Sequence, residues 1–144
     1  MAPTNYLLLL LLLLLLGCAT TTVKPMYVTP MVYLDTDAPG GKEILASLCE
    51  FASRLYIFHY KNSDIYRAFG PLFIVRGIKA GQRAVGHLVV QYEVTLLGFF
   101  IRPEIVKLRL IVFFTMPLNE AFLPQNVDPR TLEFNLGNPP DDHF

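Results

Sequence analysis

Two long segments of the chain alternate apolar and other residues with a period of two. Every second residue is apolar from 88 to 96 and again from 106 to 114. Because successive side chains of a strand point to opposite faces, this alternation predicts half-buried antiparallel strands. Further strands are predicted over 72–79 and 131–136, and the β-prone residues 31–33 allow a fifth strand at one edge.

A different spacing, typical of an α-helix, runs through residues 42–61. Apolar residues recur there three and four positions apart, and the stripe they form is Ile44, Leu48, Ala52, Leu55 and, at its end, a partly buried His59. One helix followed by antiparallel strands predicts an α+β fold. The economical packing is one long α-helix wrapped by a four- to five-stranded antiparallel β-sheet.

The first 19 residues have the composition of a secretory signal peptide. The leucine block Leu7–Leu16 is shorter than the roughly 20 apolar residues that span a membrane, so no stable membrane insertion is expected. Small residues at 17–19 offer a cleavage site near Ala19, which predicts secretion to the extracellular space. The alternative is a bacterial lipoprotein signal in which Cys18 carries the lipid.

The remaining chain divides into three predicted parts. Residues 20–41, which are rich in Thr, Pro and Gly, form an extended N-terminal arm. Residues 42–136 form the folded domain, and residues 137–144 form a loose C-terminal tail. A chain of 144 residues is long enough for one such domain and too short for two well-packed ones.

The charges balance overall but are distributed unevenly. Twelve basic and twelve acidic residues argue against a nucleic-acid partner held through phosphates. Residues 54–109 nevertheless carry nine basic and three acidic residues. The simplest interpretation is a solvated sheet face, and the alternative is a basic patch for an acidic partner.

Cysteine and histidine supply little chemistry. Cleavage near Ala19 leaves Cys49 alone in the helix, where we expect a buried thiol; the alternative is a reactive or intermolecularly paired one. The three histidines have no metal-ligand spacing with each other or with Cys49, so neither a metal nor a cofactor is expected. An enzyme is the less favoured class, and a polar cleft containing His87 and Glu93 would revive it.

Two predicted hairpin turns carry a more specific signal. The first is Gln82-Arg83-Ala84-Val85-Gly86 and the second is Met116-Pro117-Leu118-Asn119. These turns resemble those of the cystatins, inhibitors of papain-like cysteine proteases, which read Gln-x-Val-x-Gly and Pro-Trp. Glu50-Phe51-Ala52 with Tyr56, and Asn62–Tyr66, are also similar to that family's helix and the segment after it. The resemblance extends over about residues 43–136.

The resemblance implies a function and a set of contact residues. A cystatin-like protein plugs the active-site groove of a cathepsin-type cysteine protease with its two hairpins and its N-terminal segment. The protease-contact residues would then be Gln82, Arg83, Ala84, Val85, Gly86, Pro117 and Leu118. A glycine at a tight turn permits close backbone approach, which fits Gly86.

The chain departs from the family pattern at several positions. Ala84 stands where the family has Val, Leu118 stands where it has Trp, and no glycine precedes Gly40 in the arm. The two disulfides of secreted animal cystatins are also absent. We therefore expect weakened inhibition, and the alternative is a secreted cystatin-fold binding protein that does not inhibit. Long apolar strands and an unpaired thiol also favour a strand-swapped homodimer.

Overall fold

The computed structural model describes residues 29–140. The predicted signal peptide (1–19), the first part of the predicted arm (20–28) and the end of the predicted tail (141–144) lie outside the described residues. The strands and α-helices of the described part are β1 (Val32–Tyr33), α1 (Gly41–Tyr60), α2 (Asp64–Phe69), β2 (Phe73–Gly86), β3 (Val89–Phe100), β4 (Val106–Pro117) and β5 (Glu133–Gly137).

The five strands form a single antiparallel sheet in the order β1-β2-β3-β4-β5. Sequential neighbours therefore pair throughout, and β1 is the short edge strand that residues 31–33 allowed. The helix α1 packs on the sheet and makes its contacts mainly with β2 and β3. The predicted α+β class, with one long helix and a five-stranded antiparallel sheet, is confirmed.

The core lies between α1 and the alternating apolar positions of the sheet. Val94 and Leu96 on β3 pair with Val112 and Leu110 on β4, and all four side chains are completely buried. Burying one such side chain stabilises the fold by roughly 1.5–3 kcal/mol. The alternation predicted for 88–96 and 106–114 therefore identifies the core face correctly, except that Leu88 precedes β3 and lies in a turn.

The buried face of α1 differs from the predicted stripe. Ile44 is 50% exposed and His59 is exposed, so the expected partial burial of His59 is wrong. The face that meets the sheet consists of Cys49, Phe51, Ala52, Leu55, Tyr56 and Tyr60. Ala52 and Leu55 of the predicted stripe belong to this face, and the rings of Phe51, Tyr56 and Tyr60 bury more surface than the ends of the stripe at Ile44 and His59 would.

A second short helix follows α1, where the sequence indicated only a helix end. Ser63 caps α2, since its Oγ accepts a hydrogen bond from the Tyr66 amide at 3.2 Å. The Tyr60 hydroxyl at the end of α1 donates to the Gly70 carbonyl at 2.6 Å. This bond connects the end of α1 to Gly70, which lies just before the start of β2.

An aromatic cluster joins the helix to the sheet near one end of β3 and β4. Phe51 of α1 meets Phe114 of β4 and Phe122 of the following loop edge-on, each with ring centroids 5.5 Å apart. Tyr92 of β3 stacks on Phe114 at 5.3 Å. These contacts hold the ends of β3 and β4 that carry the two predicted hairpins.

Candidate functional site

The first predicted contact segment lies in a strand rather than in a turn. Gln82 and Ala84 pair with Tyr92 and Val90, and Gly86 pairs with Val89, so β2 continues through Gly86. The prediction of Gln82–Gly86 as a turn is therefore wrong in its bounds. The register of β2 against β3 shifts between Ala84 and Gly86, and β2 continues past this shift. The turn therefore falls on His87 and Leu88 instead. Leu88 has a left-handed backbone with φ 59°.

The second predicted segment lies directly beside this turn. Pro117, at the end of β4, pairs with Val89 at the start of β3. The Leu118 amide then donates to the Leu88 carbonyl at 2.8 Å, and Asn119 turns the chain with φ 67°. The loop that follows is not a tight hairpin, because the chain reaches β5 only through two 3-10 turns, Pro124–Asn126 and Pro129–Thr131.

The N-terminal arm pairs with the first of these two segments. Val32 and Tyr33 of β1 pair with Gln82 and Gly81 of β2. Further out, the Thr29 hydroxyl donates to the Ala84 carbonyl and accepts from the Ala84 amide, both at 3.1 Å. We use the name tip surface for the combination of residues 29–33, 82–90 and 117–119.

The tip surface is largely exposed and partly apolar. Among the predicted contact residues, Arg83 and Val85 are half-buried and the other five, Gln82, Ala84, Gly86, Pro117 and Leu118, are exposed. Val32, Leu88 and Leu118 are exposed by 67%, 59% and 45%. Exposed apolar side chains grouped at one place on a small protein are typical of an interaction site.

A cavity of about 400 Å³ opens within the tip surface, between the arm and the hairpin. Its lining includes Pro30, Val32, Ala84, Val90 and Leu118. Val90 is buried against the core, so the floor of the cavity is formed by fixed strand residues. A recess of this composition can accept an apolar group from a partner.

The charged groups near the tip surface are engaged with neighbours. The Arg83 Nε donates to the Gln91 amide oxygen at 2.7 Å. The Tyr33 hydroxyl lies 3.2 Å from each Glu93 carboxylate oxygen. Partial burial, and then the charge of Glu93, raise the pKa of Tyr33 above its ordinary value. Arg83 and Glu93 are therefore each held by a neighbouring side chain.

Sequence reasoning missed Leu88, Val32 and Thr29 as members of this surface. Leu88 was assigned to a strand because it continues the alternation, whereas its left-handed backbone places it in the turn. Val32 and Thr29 reach the site only through pairing with residues 50 or more positions away. Gly86 is a local signal for a nearby turn, but nothing in the alternation shows that the turn begins after it.

The groups considered for catalysis are not brought together. Cys49 is a free, buried thiol, and burial raises its pKa to about 11, which keeps it neutral near pH 7. His87 is exposed in the β2–β3 turn. Glu93 lies four residues along β3 from Val89, which is about 13 Å from the start of the strand. It lines a cavity other than the one in the tip surface, and His87 does not line that cavity.

Two further features are absent from the described part of the chain. No group of three or more His, Cys, Asp or Glu residues there could hold a metal ion. No helix within residues 29–140 has the length and apolar character needed to cross a membrane. Comparisons with protein-family models, curated proteins and solved structures found no match to this chain.

Proposed function

We propose that the chain is a secreted, cystatin-like inhibitor of papain-like cysteine proteases. The observation that carries the proposal is the convergence of the arm, the β2–β3 hairpin and the end of β4 on one tip surface. Leu88 and Leu118, which are 30 positions apart in the chain, are joined there by a backbone hydrogen bond of 2.8 Å. A wedge made of three chain segments needs this arrangement.

The tip surface is suited to enter a groove because it is held in shape before binding. Val90, at the inner end of the tip surface, and its β4 partner Met116 are buried, and the Tyr92–Phe114 stack lies two pairs further along the strands. A preformed surface loses little conformational entropy on association, so more of the contact energy appears as affinity. The exposed apolar groups of Val32, Leu88 and Leu118 would supply that contact energy.

Inhibition rather than cleavage follows from where the peptide bonds lie. Residues 82–86 belong to a strand that is paired with β3, and residues 32–33 pair with residues 82 and 81. An extended substrate pairs with an enzyme through its backbone groups, and in residues 82–84 many of those groups are already used in pairing with β3 and the arm. The tip would therefore occupy the groove without becoming a substrate.

The departures from the family pattern set the expected strength of inhibition. Ala84 offers fewer buried methyl groups than Val, at about 0.8 kcal/mol for each carbon group lost. Leu118 lacks the aromatic area that makes Trp a frequent hot spot. Arg83 should weaken binding to a protease less than a free charge at this position would, because its side chain donates a hydrogen bond to Gln91. We expect inhibition well short of the tightest protease–inhibitor complexes.

The decisive experiment is titration of residues 20–144 against papain and a cathepsin. Leu118→Asp places a charge in the wedge and should weaken inhibition at least tenfold, about 1.4 kcal/mol. Leu118→Trp should strengthen it. The matched control is Ile105→Asp, because Ile105 is 66% exposed in the β3–β4 loop, at the other end of those strands; this variant should inhibit like the parent chain.

Two outcomes would contradict the proposal. One is no inhibition at micromolar concentration by either the parent chain or Leu118→Trp, which would favour the alternative of a cystatin-fold binding protein without inhibitory activity. The other is an equal loss in Leu118→Asp and Ile105→Asp, which would mean that the tip surface makes no special contribution.

A further inference from the structure

A second cavity, of about 340 Å³, lies on the sheet face opposite α1. Lys79 of β2, Thr95 of β3 and Ile111 of β4 are direct neighbours across the sheet and all three line it. Glu93 lies two residues from Thr95 on the same side of β3, and Arg109 lies two residues from Ile111 on β4. The cavity is separated from the core, because the core side chains of β3 point the other way.

Two polar atoms at this cavity are buried without a partner. Thr95 is only 3% exposed, and its Oγ1 has no hydrogen bond within residues 29–140. The Nε atom of Arg109 is also buried from solvent, and it too has no hydrogen-bond partner in the described part of the chain. Buried polar atoms in native proteins are nearly always paired, so each exception calls for an explanation.

The chemistry of these two atoms specifies what would pair with them. An arginine N–H can only donate, and a threonine hydroxyl can donate as well as accept. A group with two acceptor oxygens would therefore satisfy both atoms at once. A carboxylate has two such oxygens, and the planar guanidinium group is well matched to it.

The charges around the cavity favour the same group. Lys79 and Arg109 contribute two positive charges and Glu93 one negative charge, which leaves one positive charge in excess. Tyr33 holds the other two side chains at the cavity: its hydroxyl lies 3.2 Å from the Glu93 oxygens, and the Lys79 ammonium lies 4.4 Å from its ring centroid. A monocarboxylate would neutralise the excess, whereas a neutral ligand or water would not.

We propose that this cavity binds a carboxylate group, held by Arg109 and Thr95 with Lys79 at its edge. The site is distinct from the tip cavity, since it lies on the sheet face turned away from α1 and the two cavities share no lining residue. Tyr33 of the tip surface is its neighbour, through the contacts with Glu93 and Lys79. The carboxylate can belong to a small molecule or to an acidic residue of a peptide chain.

The test uses propionate as the carboxylate and propionamide as its neutral match. The protein is residues 20–144, which contain every residue that the structure describes. A nitrogen–proton NMR spectrum follows the Arg109 Nε–H resonance directly. Saturable movement with propionate and none with propionamide is the expected result. Equal movement with both compounds, or the absence of movement with propionate both in this chain and in a chain that ends at Pro140, would overturn the proposal and leave water as the occupant.

Variants distinguish this site from general charge attraction. Thr95→Val keeps the side-chain shape and removes the hydroxyl, and it should weaken propionate binding roughly fivefold to tenfold. Lys79→Gln should weaken binding, whereas Lys42→Gln, the same change on an exposed helix residue, should not. Equal effects of Lys79→Gln and Lys42→Gln would overturn the assignment even if another variant fails to fold.

The source of the carboxylate is tested with a shortened chain. Pro140 lines the cavity, and Asp141 and Asp142 follow it in the sequence. A chain that ends at Pro140 is therefore titrated in parallel. Equal propionate affinity in both chains indicates an external ligand. Binding that appears only in the shortened chain indicates that the protein's own aspartates compete for the same site.

Discussion

At residue 77 of β2 the strand carries no side chain, and the sulfur of Cys49 from α1 occupies the space instead. A Cβ added to Gly77 would lie 2.0 Å from the Cys49 Sγ, far inside van der Waals contact. The two residues therefore set how closely the helix approaches the sheet. The prediction that Cys49 is a buried, inert thiol agrees with this contact, but the need for glycine at 77 depends on a partner 28 positions away.

Gly77→Ala should lower the free energy of unfolding by about 1–3 kcal/mol, because the added methyl group overpacks the contact with Cys49. Gly86→Ala is the matched control, since a Cβ at that end of β2 meets nothing within 4 Å. Urea unfolding of both variants measures the difference. Equal stability of the two variants would contradict the contact.

The same pair allows a second measurement. If the sulfur is the obstacle, Gly77→Ala should cost less in a Cys49→Ala background than in the parent chain, with a coupling energy of about 1 kcal/mol. Strictly additive losses would mean that the strain at residue 77 arises elsewhere.

Burial of Cys49 also predicts a dependence of stability on pH. Its pKa rises from 9.0 to about 11 in the folded chain, so between these values the unfolded chain binds fewer protons than the folded one. The free energy of unfolding should therefore be undiminished by this group below pH 9.0 and should fall as the pH rises towards 11. Cys49→Ala should fall less steeply in urea unfolding over that window. Because burial also raises the pKa of Tyr60 and Tyr92, only the difference between the two chains reports on Cys49.

At the scale of elements, the long connection between β4 and β5 is held to β4 by Thr131 and by the Asp128 amide, which donates to the Thr115 carbonyl at 3.1 Å. The Thr131 Oγ1 accepts from the Thr115 amide at 3.0 Å, lies 2.9 Å from the Thr115 Oγ1 and donates to the Asp128 carbonyl at 2.7 Å. The Asp128 carboxylate in turn accepts from the Arg130 amide at 3.1 Å. One hydroxyl thus joins the last part of β4 to the 3-10 turn that leads into β5.

Thr131→Val should lower the free energy of unfolding by about 1–3 kcal/mol, because it leaves the part-buried Thr115 amide without its acceptor. Thr131→Ser keeps the hydroxyl and should lose much less. Thermal unfolding of both variants measures the effect. A loss of equal size in the serine variant would assign the role to the methyl group rather than to the hydrogen bonds.

The elements themselves were largely predictable from the sequence, and their ends were not. Period-two alternation located β3 and β4 because each has one face in the core. The same signal placed Leu88 in a strand, since alternation cannot register that Gly86 already pairs with Val89 and leaves two residues for the turn. The capped helix α2 was missed because none of its residues is buried, so it has no core-facing pattern.

At the scale of the whole molecule, the sites depend on contacts between distant parts of the chain. The tip surface could be predicted in part, because the two hairpin segments carry recognisable residues such as Gly86 and Pro117. The contribution of the arm could not, since two strand pairs and the Thr29 contacts decide it. The cavity with Thr95 and Arg109 was also beyond sequence reasoning, because it exists only in the particular register of β2, β3 and β4. The strand-swapped homodimer stays a prediction.

The attachment of Thr29 to residue 84 has a consequence for how this protein can vary. Thr29 bonds to the peptide carbonyl and amide of Ala84, and every amino acid except proline has both of these groups. The two hydrogen bonds that hold Thr29 therefore do not depend on which side chain residue 84 carries, proline excepted. A mutation at residue 84 can therefore change the size and shape of that side chain, and so the choice of partner. The arm stays bonded to β2 in either case.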